Sequence, residues 1–252
     1  MGSARSVIVS CVVVIGVVAG ANDARAAPAK VTLAGLDPAA YLQRRNRTPE
    51  LSRELSRLPH ETLLAIARGD DVVVWPRDDA YGDMQASARA AARATERRAL
   101  LQGVLAVMAR QDDERFATAM IALLDDADPA VAGSAAERLG ALPHQEPLLT
   151  AIALDDERRL QVRTGACAGL GAQRSDAAVS ALIAVVGGKG DDALKISALT
   201  AIEFATSRWA FEARGDQATG ERLRGRAATA LSQLVLSEQV GRRRDAVLKR
   251  LR

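Results

Sequence analysis

The sequence of 252 residues is poor in several residue types, and each shortage excludes a class of protein. Aromatic residues make up only 3% of the chain. Strands favour aromatic and β-branched side chains, so this shortage argues against an all-β fold. Two cysteines cannot form the disulfide framework of a small secreted domain. The two histidines, His60 and His144, have no second His or Cys at metal-ligand spacing, which argues against a zinc site.

The composition that remains favours a helical, globular protein. By count, 51 residues are alanine, about a fifth of the chain, and alanine is the strongest helix former. Hydrophobic residues make up 48% and charged residues 26%, a balance that permits a real core and excludes wholesale disorder. We therefore predict an all-α fold.

The N-terminus has the pattern of an export signal. Arg5 is the only charge before a continuous apolar run over residues 7–18, which is shorter than the roughly 20 residues that span a bilayer. Two small-x-small cleavage patterns follow, at 19–21 and 24–26. We therefore predict a bacterial signal peptide over 1–26. After its cleavage, we expect the exported protein to be periplasmic or extracellular. An uncleaved membrane anchor and lipidation at Cys11 are the alternatives.

The middle of the chain contains an internal repeat. Three segments share one stripe of spacing i, i+4, i+8, which is one face of an α-helix, and corresponding positions are 31 and 32 residues apart. The small middle residue of each stripe lets a neighbouring helix approach closely. The stripes are Val131, Ala135, Leu139; Val162, Ala166, Leu170; and Leu194, Ala198, Ile202.

Each striped helix follows another apolar helix and an acidic turn, so the predicted unit is helix, turn, helix. Asp128 and Pro129 are a typical cap and first-turn pair at the start of one second helix. Gly140 and Gly171 fall just after the second helices, where we expect them to be left-handed cap residues. Pro143 separates two units, because proline cannot continue a helix.

These features resemble HEAT repeats of the short type also found in phycobilisome lyase-like proteins. The resemblance covers residues 111–205 and lies in Asp128-Pro129-x-Val131, Ala135-Ala136, Leu139-Gly140, Val162-Arg163, Ala166 and Leu170-Gly171. It implies an α-solenoid of stacked antiparallel helical hairpins. In HEAT families an acid in the turn often pairs with a base early in the second helix, and Asp156 with Arg163 fits that pattern. Unit one has Ala132 at the basic position and unit three has Gly188 at the acidic one.

Both flanks of the repeats are atypical. We expect residues 27–47 to be a tether or irregular segment and 48–110 to be a helical region, whose first two helices are a candidate degenerate repeat. The strand-like run at 72–75 has no partner run, so we expect a packed loop. We expect residues 206–252 to form basic capping helices, because repeat arrays need polar units at their ends to stay soluble. They hold 11 bases and 5 acids, whereas residues 113–205 hold 14 acids and 8 bases.

The residues that could support chemistry favour structural roles. Cys167 lies on a packed helix, where a small buried hydrophobe is the commoner role. The run from Gly187 to Gly190 lacks the G-x-x-x-x-G-K-[ST] pattern of a phosphate loop and predicts an inter-helix turn. The acidic groups near 125–128, 155–157 and 191–192 suit the positive ends of helices better than calcium. We expect no catalytic residue, no cofactor and no metal.

The sequence therefore predicts a non-catalytic scaffold that binds an unidentified protein or peptide. The resemblance to HEAT repeats places the candidate contacts on the second helices, at Arg138, Arg163 and Lys195. One alternative is a lyase-like or other enzymatic repeat protein that uses Cys167. Another is attachment to anionic lipid through the C-terminal Arg242, Arg243 and Arg244. Nucleic acid is not expected, because no aromatic residues are interleaved with these bases.

Overall fold

A computed structural model describes residues 30–33, 48–75, 81, 84–111 and 113–251. The predicted signal peptide, Cys11 and most of the predicted tether lie outside the described residues. The helices are α1 (Thr48–Leu55), α2 (His60–Arg68), α3 (Ala86–Met108), α4 (Glu114–Ala122), α5 (Pro129–Leu139), α6 (Glu146–Leu154), α7 (Leu160–Gln173), α8 (Asp176–Gly187), α9 (Asp192–Ala205), α10 (Arg208–Glu212), α11 (Gln217–Ser232) and α12 (Glu238–Leu251). A 3-10 turn, Leu123–Asp125, follows α4.

Short polar side chains begin several of these helices. Asp113 accepts a hydrogen bond from the Arg115 N–H at the start of α4, and Asp128 accepts one from the Ala130 N–H at the start of α5. Ser175 and Asp216 cap α8 and α11 in the same way. Such caps satisfy N–H groups that have no partner inside the helix. The helix boundaries therefore follow local sequence chemistry.

The three predicted stripes form the core of the repeats. The middle residues Ala135, Ala166 and Ala198 have no exposed surface, and the larger residues that flank them are also buried. The second helices α5, α7 and α9 pack side by side, and α4, α6 and α8 pack as the first helices of the same hairpins. The predicted α-solenoid of stacked helical hairpins is confirmed.

Two glycines differ from their predicted role as left-handed caps. Gly140 has φ −64°, a right-handed conformation, and Gly171 lies inside α7. Both are needed for close helix approach: a Cβ on Gly140 would lie 2.2 Å from the Gly169 carbonyl oxygen, and one on Gly171 would lie 2.9 Å from the Ala201 oxygen. The left-handed residue after α7 is Arg174, with φ 53°. The prediction was wrong because close helix contact and helix ending both select glycine.

The array extends beyond the repeats seen in the sequence. At the N-terminal side, α2 pairs with the 23-residue α3, and these two helices pack on α4 and α5 respectively. The sequence instead grouped α1 with α2, but α1 packs on α3. At the C-terminal side, α11 packs on α8 and α12 packs on α9, so the capping helices continue the same two layers. Five hairpins therefore stack in the described part of the chain.

The strand-like run at 72–75 forms an isolated bridge. Val31 pairs in parallel with Val73. The Val31 N–H donates to the Val72 carbonyl oxygen (2.7 Å), and the Val74 N–H donates to the Val31 carbonyl oxygen (2.8 Å). Leu33 is buried beside it. The segment is thus a packed loop that carries one short strand pairing, and the predicted absence of a sheet holds for the described residues.

Candidate binding surface

Two of the predicted contact residues lie on the second helices with part of their side chains exposed. Arg138 is near the end of α5, with 44% of its side chain exposed and its guanidinium 3.6 Å from Glu137. Lys195 is in the first turn of α9, half-buried, and forms no ion pair with any described residue. Both side chains are accessible to a partner. Their role in binding stays a prediction.

Arg163 is placed differently, since only 9% of it is exposed. Its guanidinium lies 2.7 Å from Asp156 and donates to the Ala153 carbonyl at 3.2 Å. This ion pair between the turn and the second helix is the one that the HEAT resemblance implied. Arg163 therefore ties α6 to α7 within one hairpin, and little of it faces solvent.

The C-terminal arginines are largely engaged by the fold. Arg243 contacts the Glu203 carboxylate at 2.8 Å and Thr200 at 3.1 Å, which joins α12 to α9. Arg244 donates to the Leu234 carbonyl at 2.7 Å and also pairs with Asp245. Only Arg242 is mostly exposed, 3.7 Å from Glu238. The surface available to an anionic membrane is therefore smaller than the sequence suggests.

The acidic turn between α4 and α5 meets arginines from both neighbouring hairpins. From α3, Arg97 forms two hydrogen bonds with Asp126 (2.6 and 3.1 Å) and Arg98 forms one with Asp128 (2.8 Å). From the next turn, Arg158 pairs with Asp125. The hydrogen bonds from Arg97 hold the pKa of Asp126 below its usual range. The turn is thus neutralised internally, and no group of three or more metal-ligating side chains occurs among the described residues.

The residues that were considered for catalysis, phosphate binding or metal binding lie where they support the fold. Cys167 is fully buried in α7, and burial raises the pKa of its thiol to about 12. Its predicted role as a small buried hydrophobe is confirmed. The run from Gly187 to Gly190 links α8 to α9, as predicted for a turn. His60 lies 3.0 Å from Asp113, which connects the starts of α2 and α4, and His144 is an exposed turn residue with φ 61°.

A cleft of about 1160 Å³ lies at the N-terminal side of the array. Residues after α2, including Val73 and Trp75, form one wall, and Arg93, Arg97 and Leu100 of α3 form another. Beside it Glu96 is buried, and this burial raises the pKa of its carboxyl group. The cleft has no signature in the sequence, because it depends on how the loop after α2 folds back. Its lining mixes both signs of charge with apolar side chains and so identifies no ligand.

A second surface, at the end of α9, combines exposed rings with arginines from two parts of the chain. Phe204 and Trp209 are 48% and 71% exposed, in a chain with only seven aromatic residues. The Arg174 guanidinium carbon lies 5.0 Å from the centre of the Phe204 ring. Burial, and to a smaller extent the like charge of Arg214, lower the pKa of Arg174. We call Phe204, Trp209, Arg174 and Arg214 the Phe204 patch.

The Phe204 patch was not predicted from the sequence, although the position of Phe204 in α9 is one signal for it. Phe204 lies two residues after Ile202 in α9, outside the stripe of Leu194, Ala198 and Ile202. A large aromatic residue off the buried face of a helix is expected to meet solvent or a partner. Arg174 comes from a different hairpin, so only the tertiary structure brings it to the ring.

Comparison with known families identifies the repeats. The family model for HEAT repeats matches residues 116–203, from within α4 to within α9. The chain contains HEAT repeats. These repeats generally serve as protein-interaction scaffolds, and the family is typically non-catalytic. No match was found among curated proteins or among solved structures. The helices α2, α3, α11 and α12 stack in the same manner outside the matched segment of the HEAT array.

None of the helices in the described ranges is both long enough and apolar enough to cross a membrane.

Proposed function

We propose that this HEAT repeat protein is a non-catalytic scaffold that binds a protein or peptide partner. The observation that carries the proposal is the exposure of Phe204, which lies against Arg174, and of Trp209 in the next helix. Aromatic residues and arginine are enriched at the centres of protein interfaces, because their large side chains bury much surface for few frozen torsions. Most other large apolar residues of the array lie in its core.

The arrangement of the hairpins supports this proposal. The second helices α5, α7 and α9 pack closely through small residues, whereas the first helices α4 and α6 touch each other much less. Closer spacing on one side bends a stack toward that side, so the second helices line an inner surface. Extended inner surfaces of this kind are the binding faces of repeat arrays. Arg138 and Lys195 lie on it as candidate polar contacts.

The buried thiol argues against the enzymatic alternative. A catalytic cysteine needs a thiolate and access to substrate, and such residues have a lowered pKa. Cys167 has the opposite properties, since it has no exposed surface and its pKa is raised to about 12. The alternative use of Cys167 as a nucleophile therefore lacks support from its environment.

Site-specific crosslinking tests the proposed binding surface. A photoreactive benzoylphenylalanine replaces Trp209 in one variant and Val235, which is 99% exposed between α11 and α12, in a control. We expect the variant at position 209 to form light-dependent adducts with one cellular protein. The variant at position 235 should form no adducts with that protein. The absence of adducts from position 209, or the same adducts from both positions, would contradict the proposal.

We also propose that the chain acts outside the cytoplasm. The support is the apolar run at 7–18 followed by small residues at 24–26. N-terminal sequencing of the mature chain from fractionated cells tests this proposal. We expect the chain to begin at Ala27 in the exported fraction, and an intact Met1 in the cytosol would refute export.

A further inference from the structure

The Phe204 patch has an unusual electrostatic environment. Arg174 follows α7 in a left-handed conformation and lies over the Phe204 ring, so its guanidinium is held in place by the fold. Neither Arg174 nor Arg214 forms a salt bridge with any described residue, and the buried Nε of Arg174 has no hydrogen-bond partner among them. Two arginines near each other without an acid repel, and a bound anion would relieve that repulsion.

The opposite side of the hairpins shows that arginines of this chain ordinarily find acids. There Arg97, Arg98 and Arg158 each contact an aspartate of the turn between α4 and α5. At the C-terminal hairpin, Glu203 neutralises Arg243 and Arg250. Arg89 and Arg159 also lack an ion pair among the described residues, but they donate hydrogen bonds to backbone carbonyls, whereas the buried Nε of Arg174 has no hydrogen-bond partner.

The Phe204 ring lies against Arg174, and both Phe204 and Trp209 face solvent. Trp209 is five positions after Phe204, so the chain allows at most about 18 Å between their Cα atoms. A guanidinium stacked on an aromatic ring keeps its N–H edges free to donate, so one ligand group can contact the ring while another accepts hydrogen bonds from arginine.

We propose that the Phe204 patch binds an acidic segment of a protein partner. An Asp or Glu carboxylate of that segment pairs with Arg174 and Arg214, and a neighbouring apolar side chain packs on Phe204 and Trp209. This inference rests on the proposed binding function and adds the chemistry of the partner. Paired arginine–carboxylate hydrogen bonds provide direction, and the rings provide apolar contact area.

The surroundings favour a peptide over a membrane. Glu212, three residues after Trp209, is exposed, and so are Asp216 and Glu221 in the following turn and helix. A uniformly anionic bilayer would meet these carboxylates together with Arg174, and the repulsion would offset much of the attraction. A peptide with one local acidic group can contact the arginines and avoid the acids.

The test is a selection with a random heptapeptide phage library on the full chain. Parallel selections use Arg174→Gln, Phe204→Ala and the control Val235→Ala, whose thermal melts establish that each variant is folded. We expect wild type and Val235→Ala to enrich peptides with Asp or Glu next to an apolar residue, and Arg174→Gln and Phe204→Ala to lose them. Arg214→Gln, an exposed position, provides a second charge variant.

A titration then measures the enriched peptide directly. In a Trp75→Phe background, Trp209 is the one remaining tryptophan and reports binding by its fluorescence. We expect saturable binding of the peptide to the wild-type chain. The affinity should fall at least about tenfold in Arg174→Gln, and by as much when Asp or Glu in the peptide is replaced by Asn or Gln. The reason is that charge-assisted pairs of this kind contribute about 1.4 kcal/mol or more. Phosphatidylserine vesicles, added at equal charge, should leave the signal unchanged.

The outcomes separate this inference from the proposed function. Enriched peptides that bind all variants equally would overturn the acidic-segment inference and leave a binding scaffold with its site elsewhere. Enrichment of neutral peptides, or a Trp209 response to vesicles and not to peptide, would also overturn the inference. No enrichment at all, together with no adducts from position 209, would contradict both proposals.

Discussion

Two interfaces between second helices of neighbouring hairpins are stabilised by different interactions. Between α5 and α7, glycines bring the backbones together, and a Cβ on Gly165 would lie 2.1 Å from the Gly133 oxygen. Between α9 and α12, Glu203 pairs with Arg243 and Arg250 around a few buried side chains such as Val247. The centre of the array thus depends on shape and its C-terminal end partly on charge, so the two should respond differently to substitution, pH and salt.

The largest expected effect comes from Gly165→Ala. The added methyl group collides with the backbone of α5, and overpacking of this kind costs about 1–3 kcal/mol, more than alanine gains in helix propensity. We expect a net loss of about 2 kcal/mol in urea unfolding. The control Gly225→Ala in α11, where a Cβ would meet nothing within 4 Å, should gain about 0.5–1 kcal/mol. Equal stabilities of the two variants would show that close approach does not limit the central interface.

Thiol labelling compares local opening at the two interfaces. In a Cys11→Ser background, Cys167 reports on the centre, and Val247→Cys with Cys167→Ala reports on the end. Rates are divided by those of the unfolded chains to remove differences in thiol pKa. We expect Val247→Cys to react at least about tenfold faster, since terminal units open more readily than central ones. Equal protection would mean that the array opens as a single unit.

The acidic turn provides a pH test. Because hydrogen bonds from Arg97 lower the pKa of Asp126 in the folded state, the ionised carboxylate stabilises the protein above the unfolded pKa of about 3.9. That stability is lost as pH falls through the lower folded pKa. We expect Asp126→Asn to lose about 1 kcal/mol at pH 7, a figure reduced because Arg97 is 47% exposed, and clearly less as the pH falls below the unfolded pKa.

The control for the pH test is Asp125→Asn, whose side chain is 75% exposed. We expect it to unfold like wild type at pH 7 and at low pH, because exposed ion pairs contribute little. A cost for Asp126→Asn that is independent of pH would indicate a packing defect and contradict the electrostatic account.

The smallest expected effect is at the C-terminal interface. Glu203→Gln removes the charge that α12 contacts, so we expect about 0.5–1 kcal/mol less protection of residues 238–251 in hydrogen exchange, shrinking in 1 M salt. Glu238→Gln, from the exposed pair with Arg242, should leave exchange unchanged. Identical exchange in both variants would show that apolar packing alone holds α12.

Much of the fold was predictable from local sequence. The stripes of Ala135, Ala166 and Ala198 identified the buried faces, because apolar residues that recur at helical spacing mark the side of a helix that packs in the core. The cap role of Gly140 was predicted incorrectly, because its true constraint is the backbone of Gly169 in another hairpin. The pairing of α2 with α3 was also missed, since residues 69–85 separate the two helices along the chain.

The candidate site was less accessible to sequence reasoning. Arg163 has the residue type of a binding contact, but Asp156 and the Ala153 carbonyl engage it inside the hairpin. Conversely, Arg174 resembles any other arginine until the fold places it over Phe204. Whether a charged side chain is free or occupied depends on its partners in space, and no pattern of spacing along one helix contains that information.

The neighbour-to-neighbour stacking of the hairpins has a consequence for the size of the protein. Strong helix contacts join hairpins that are adjacent in the array, and none links the first described hairpin to the last. Deletion of one internal hairpin would therefore leave the more distant interfaces intact and create one new junction, between the hairpins on either side. Because each junction has its own local chemistry, the cost of such a change in length is set by how well those two faces match.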